Sequence, residues 1–202
     1  VYNEYYGSDF YGGTQDSSSS YFSILYKASC EDGYVLKETF EDLDIQNYNW
    51  VANDSLCFYQ KDLDVLQDLI DNSQGGANPP GISLDPLHLG EQSWKNGRLV
   101  ELCASGNFGN CYTGYTLSGV FPNSLTNLDS LSKLELDYHN LSGVIPESIG
   151  NLINLEFIIL TENQLGGVIP ESIGNLVNLQ EIKLTHNELV GSIPESMKNL
   201  LK

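Results

Sequence analysis

The sequence predicts an α/β solenoid: short parallel strands along a concave face, 3-10 or helical turns on the convex side, and an N-terminal β-hairpin and helix cap. Three observations predict it. Residues 117–140, 141–164, 165–188 and 189–202 align without a gap at a period of 24. Gly119, Gly143, Gly167 and Gly191 recur on that period, as do Pro122, Pro146, Pro170 and Pro194. Each unit also carries the pattern LxxLxLxx, as in Leu155, Ile158 and Leu160 or Leu179, Ile182 and Leu184, whose period-2 half reads as a short strand.

The remaining positions of each unit follow from what a coil must do after its strand. Asn163 and Asn187 come where the chain bends, and their amides can bond backbone groups that the bend leaves unpaired. Glycine then allows a tight bend, and proline fixes φ at the entrance to a short helical turn over NLxxL. A single unit cannot bury its own leucine row, so neighbouring units must supply the other wall.

The run LxxLxLxxNxLSGxIPxxIGNL, read here in Leu155 to Leu176, resembles the plant-type 24-residue leucine-rich repeat of receptor-kinase ectodomains and polygalacturonase-inhibiting proteins. The resemblance extends over residues 99–202. An earlier, degenerate repeat reads GRLVELCASGN, with Leu99, Leu102, Ala104 and Asn107 in register. The 32 residues from Asn107 to His139 then imply an eight-residue insertion containing Cys111. Upstream, Leu63, Leu66 and Ile70 share one helical face, and that region resembles the family's N-terminal cap, with Trp94 before the first strand. Three departures stand out. His139 occupies an asparagine position, so a less regular turn is expected there. The cap cysteines lack their usual spacing, with only Cys57 near one such place. Residues 1–50 have no counterpart.

Three segments result: an extended Tyr, Gly and Ser tract over 1–20, a hairpin and helical cap over 21–98, and repeats over 99–202. Eight of the twelve tyrosines lie in residues 1–50. After the tract, YFSILYKAS and YVLKETF flank an Asp-Gly turn and read as a hairpin. At the other end NLLK falls inside a repeat, without a recognisable polar cap over the leucine row. Solenoids need such caps. The expectation is therefore that two complementary surfaces, one at Tyr2, Tyr5, Tyr6, Phe10 and Tyr11 and one at Leu189, Ile193 and Leu200, join copies head to tail.

Charge excludes several partners. Nine Lys and Arg against 27 Asp and Glu give a net charge of −18, with −11 of it in residues 1–72. Phosphate binding needs clustered bases, so nucleic acid is excluded, and no apolar run is long enough to insert in a membrane. The chain opens at Val1 without a charged n-region and apolar h-region, so a leader is expected to have been removed or to lie outside this segment.

Cys30, Cys57, Cys103 and Cys111 allow three connectivities, of which proximity favours Cys30 with Cys57 and Cys103 with Cys111. An even count beside two N-glycosylation sequons, at Asn53 and Asn140, points to the secretory pathway, an extracellular or cell-surface location and N-linked glycans. No metal site is expected, since there is no CxxC pair or histidine cluster. Asp42 with Asp44 and Asp62 with Asp64 are spaced like fragments of a calcium loop but lack its glycine and distal glutamate. They read as a solvated acidic face, with calcium at most a weak screening ion between copies. His88, His139 and His186 fall in no catalytic frame and read as turn or surface residues, so no enzyme is expected.

Between the leucine positions, two columns point out of the concave face: Glu101, Lys133, Phe157 and Glu181, then Cys103, Glu135, Ile159 and Lys183. Phe157 and Ile159 are expected to form an exposed apolar pair on a charged face. Two functions are in view. One is a secreted scaffold glycoprotein that assembles head to tail into a filament. The alternative is a module that recognises an extracellular protein or glycan through the concave face.

Overall fold

Strand-forming segments and turn residues alternate along the chain, and their pairing defines two walls around one core. The computed structural model describes Cys30 and residues 32–36, 57–107 and 111–200. The Asp32-Gly33 turn is formed, with Gly33 at φ 87°. Strand β1 (Tyr34–Leu36) pairs antiparallel with β2 (Cys57–Tyr59), and the Cys30–Cys57 disulfide joins the same two stretches. The first arm of the expected hairpin, residues 21–29, lies outside the described residues.

Helix α1 (Gln60–Asn72) buries Leu63, Val65, Leu66, Leu69 and Ile70, the i, i+3, i+4 spacing of one apolar face. Two strands follow, β3 (Glu91–Lys95) and β4 (Arg98–Ser105), closed into a hairpin by Asn96 at φ 51° and Gly97 at φ 71°. Both central residues are left-handed, which is what an Asn-Gly turn supplies most readily. Trp94 lies in β3, just ahead of β4 and so of the first repeat strand as expected, and it meets Phe58 edge to face at 5.0 Å.

From there the chain runs through β5 (Ser118–Val120), β6 (Lys133–Asp137), β7 (Asn140–Val144), β8 (Phe157–Ile159), β9 (Gln164–Gly167), β10 (Glu181–Lys183) and β11 (Glu188–Leu189). The even-numbered strands add in parallel to β4, giving the order β3-β4-β6-β8-β10. The odd-numbered ones make a second parallel sheet, β5-β7-β9-β11. The leucine pattern predicts one strand per unit, and there are two. The LSGV or LGGV stretch between the bend and the proline forms a strand because it pairs with the same stretch of the neighbouring units, with its leucine turned inward and its glycine at positive φ. Leu117, Leu141 and Leu165 from this sheet meet Leu102, Leu134 and Ile158 from the other, and 3-10 turns opened by Pro122, Pro146 and Pro170 close the third side with Leu125, Ile149 and Ile173.

Two contacts fix the spacing of successive units. A Cβ on Gly143 or Gly167 would meet Cγ1 of Val120 or Val144 at 3.0 and 2.9 Å, so each valine occupies the space that the next unit's glycine leaves. At the bend, Asn163 accepts from the Leu141 amide at 3.0 Å and donates to the Leu136 and Leu160 carbonyls at 2.7 and 3.2 Å. Asn187 repeats the arrangement toward Leu165, Leu160 and Leu184. Asn163 is buried and Asn187 half-buried.

That difference in burial sets the cost of removing each amide. Asn163→Ala strands the Leu141 amide and the Leu136 carbonyl in the core, the Leu160 carbonyl keeping its bond from Asn187, and should destabilise by roughly 3 kcal/mol, against about 1 kcal/mol for Asn187→Ala, in urea unfolding. Equal losses would show that the ladder is not what orders the bend.

Candidate recognition face

The face that carries the predicted columns begins where the cap meets β4. Asp62 is fully buried and takes Arg98 Nε and Nη2 at 2.9 and 3.0 Å and the Leu99 amide at 2.9 Å. Arg98 also reaches Asp129 at 2.7 Å and lies 4.3 Å over the Tyr59 ring. Burial pushes the Asp62 carboxyl above its ordinary value, while Arg98 and the Leu99 amide pull it back. The expectation that Asp62 and Asp64 both belong to a solvated acidic face is corrected here for Asp62. Its oxygens are committed to holding α1 against β4, because a buried carboxylate must be paired. Asp64 stays exposed and accepts from Gln60 at 2.6 Å. Asp42 and Asp44 lie outside the described residues.

Strand register sets the columns side by side. Lys133, Phe157 and Glu181 form one row across β6, β8 and β10, and Glu135, Ile159 and Lys183 form the next. Lys133 bonds Glu135 at 2.7 Å and Lys183 bonds Glu181 at 2.9 Å. Phe157 and Ile159 are half-buried rather than exposed as expected, since they stand between these two ion pairs. Glu101 is exposed beside Lys133 and accepts from the Ser93 hydroxyl at 3.0 Å. A third row continues with Ser105 and Asp137, then Thr161, which receives the Thr185 hydroxyl at 3.4 Å. Asp137 Oδ1 is covered yet has no hydrogen-bond partner, and burial pushes that carboxyl up against the Ser105 bond that lowers it, with Glu135 adding to the rise.

Cys103 and Cys111 are joined, anchoring the insertion to this face. They bring ligand-type atoms to within 4.8 Å of Glu135, but both sulfurs are spent on each other. The insertion bonds back to β4 through Ser105 N to the Cys111 carbonyl at 3.0 Å, and it leaves Tyr112 exposed beside Ser105.

His139 sits at the bend as expected, but inside the core rather than at the surface. It is buried in the asparagine ladder, where Nδ1 accepts from the Leu117 amide at 3.2 Å. The ring thus reproduces the acceptor half of the amide, and its other edge turns toward the Ala104 carbonyl without forming a bond of good geometry. His88 and His186 are exposed, and His186 lies 3.2 Å from Glu162.

Two sheets, the asparagine bend and proline-opened turns coincide with a family match over residues 129–189, described as leucine rich repeat. The solenoid is built of leucine-rich repeats. Solved structures agree. The leucine-rich-repeat ectodomain of the membrane receptor kinase GASSHO1/SCHENGEN3 from Arabidopsis thaliana, in complex with CASPARIAN STRIP INTEGRITY FACTOR 2, is 32% identical over 70% of this chain and 17% of its own, with a TM-score of 0.57. The ectodomain of the receptor kinase SOBIR1, also from Arabidopsis thaliana, is 23% identical over 71% of this chain and 75% of its own, at 0.52. A plant ice-binding protein is 23% identical over 71% of this chain and 46% of its own, at 0.57. The chain thus spans less than a fifth of the first of these. No curated protein sequence matches it. A leucine-rich-repeat coil shared by receptors and an ice-binding protein identifies the fold and leaves function to the surface.

Asn140 opens β7 on the second sheet of the leucine-rich-repeat coil, exposed, with Leu141 turned into the core and Ser142 back out. Asn53, the other sequon, lies outside the described residues, as do Tyr2, Tyr5, Tyr6, Phe10 and Tyr11. Ile193 is 75% exposed, and Leu189 and Leu200 are half-buried. Two features escaped the sequence reading: the Asp62–Arg98 clamp, whose partners lie 36 residues apart, and Asp137, one of whose carboxylate oxygens is covered without a hydrogen-bond partner. The clamp had one available hint, an acid at a helical position on the apolar side of α1.

Burial lowers the His139 pKa from 6.5 to about 4. Both folded and unfolded chains are neutral there above pH 6.5. As pH falls toward 4 only the unfolded chain takes up the proton, so stability drops by roughly 3 kcal/mol across that window. The difference between wild type and His139→Asn in urea unfolding at pH 7 and pH 4.5 isolates this contribution. A difference that does not change with pH would mean that His139 is protonated in the fold.

Proposed function

We propose that the chain is an extracellular, non-enzymatic recognition module that binds protein through the concave face of its repeats. One observation carries this reading: the apolar pair Phe157 and Ile159 sits at the centre of the face, between the Lys133–Glu135 and Lys183–Glu181 ion pairs. An apolar centre with a charged rim is the anatomy of a protein contact. Likeness to ectodomains of plant receptor kinases supports the same class, since the one 32% identical is in complex with CASPARIAN STRIP INTEGRITY FACTOR 2. The matching family is not a catalytic one. Two disulfides support a location outside the cell.

The filament reading rests on the tyrosine tract and on the exposed Ile193. The first of these surfaces lies outside the described residues, so recognition is the reading that the face supports best. Weakly bound calcium stays a proposal for contacts between acidic copies, to which the buried Asp62 does not contribute.

Peptides selected from a random displayed library on the immobilised chain should lose at least tenfold in affinity for the Phe157→Asp, Ile159→Asp variant, and keep it for Val144→Asp on the second sheet. Peptides indifferent to the first variant would move recognition elsewhere. We also propose that Asn140 carries an N-linked glycan, as its exposure allows. The chain secreted from plant cells should lose mass on enzymatic deglycosylation, and Asn140→Gln should remove one glycan from the intact mass. An intact mass that this variant leaves unchanged but for the amide-to-amide difference would show Asn140 to be bare.

A further inference from the structure

The charges around Phe157 and Ile159 are arranged in an unusual way. Along the first row the order is Lys133, Phe157, Glu181, and along the second it is Glu135, Ile159, Lys183. The two flanking strands therefore carry opposite signs at each level, and the signs reverse from one level to the next. Such a pattern complements its own image. If a second identical face is laid on the first and turned by half a revolution about a line running along β8, β6 of each copy lies over β10 of the other. Lys133 then meets Glu181 of the partner subunit, Glu135 meets Lys183 of the partner subunit, and Phe157 and Ile159 each meet themselves.

A second observation selects that axis over the perpendicular one in the same plane, which would also match the four charges. Asp137 stands half-buried at the level beyond Glu135. An axis along β8 keeps the rows aligned, so Asp137 comes to lie opposite Thr185 of the partner subunit, an exposed hydroxyl able to donate to the open edge of the carboxylate. The perpendicular axis would carry Asp137 off the row and past the start of the partner's strand. We propose that the concave face pairs with a second copy of the chain about a two-fold axis along β8. This rests on the reading of that face as a protein contact and names a partner for it.

The contact is isologous, so the same residues serve on both sides. Its centre spans about 10 Å between flanking strands, twice the spacing of neighbours in a sheet. That is small beside stable interfaces of ~800 Å² per partner, which places the dimer in the micromolar range or weaker. Each subunit brings a net charge of −18, so pairing also needs salt.

Charge reversal tests the geometry without disturbing either subunit. The variant Lys133→Glu, Glu135→Lys keeps its internal ion pair but sets Glu against Glu181 and Lys against Lys183 of the partner subunit. The variant Glu181→Lys, Lys183→Glu does the same from the other side. Sedimentation of the full chain from about 1 µM to about 1 mM, at ~0.15 M ionic strength, should show a dimer for wild type and monomers for each variant alone. Equimolar mixing of the two variants restores all four opposite-sign contacts, so it should bring back association to within a few-fold of wild type. Phe157→Ala should weaken wild-type association at least tenfold, and circular dichroism should show both reversed variants folded. Wild type that stays monomeric at about 1 mM, or reversed variants that pair with themselves as well as wild type does, overturns the proposal. A monomeric chain whose selected peptides still depend on Phe157 and Ile159 overturns the dimer while leaving the recognition reading intact. Association that ignores all of these substitutions overturns the dimer on this face and counts against the face as a protein contact.

Discussion

Each unit of this coil must turn from one sheet into the other inside the apolar core, and the backbone groups at that bend have no strand to pair with. Everything else about the repeat is arranged around meeting that need. Asn163 supplies an acceptor to Leu141 and donors to Leu136 and Leu160, so one side chain ties three points of chain drawn from two successive units. Because the amide reaches across units, the ladder acts as register as well as support. It holds strand against strand at a fixed level, which is what places Lys133, Phe157 and Glu181 abreast.

His139 shows how far the constraint can be bent. An imidazole is planar and offers one acceptor and one donor, against the amide's oxygen and two N–H groups. It can meet the Leu117 amide, and it meets the remaining carbonyl only poorly. The substitution coincides with the inserted residues, where the Cys103–Cys111 disulfide and the Tyr115 hydroxyl, which accepts from the Gly90 amide at 2.9 Å, provide ties that the regular units lack. The least regular rung thus sits where covalent and tertiary links already hold the cap to the coil.

Much of the fold was legible because it is periodic. Leucine spacing, the bend asparagines and the proline-opened turns are local patterns, and the structure follows them unit by unit. The face columns were legible for the same reason, since a strand alternates by rule. The second sheet was missed because its strands are short, glycine-containing and lack the apolar alternation that marks the first. Asp62 was misjudged because an acid reads as solvated unless its partner is visible, and Arg98 lies 36 residues on. Trp94 precedes the first repeat strand as the resemblance implies, and the strand it lies in is signalled by the Asn96-Gly97 pair beside it.

The fit of each valine under the following glycine, as between Val120 and Gly143 or Val144 and Gly167, bears on how such a chain can change over generations. A unit presents a valine on one side and a glycine on the other, so any unit fits after any other, provided that it is whole. Duplication or loss of 24 residues leaves every junction intact, whereas a gain of some other length breaks one. Length is therefore heritable in steps, and an off-step insertion such as the one before His139 survives only where separate fastenings replace the missing junction.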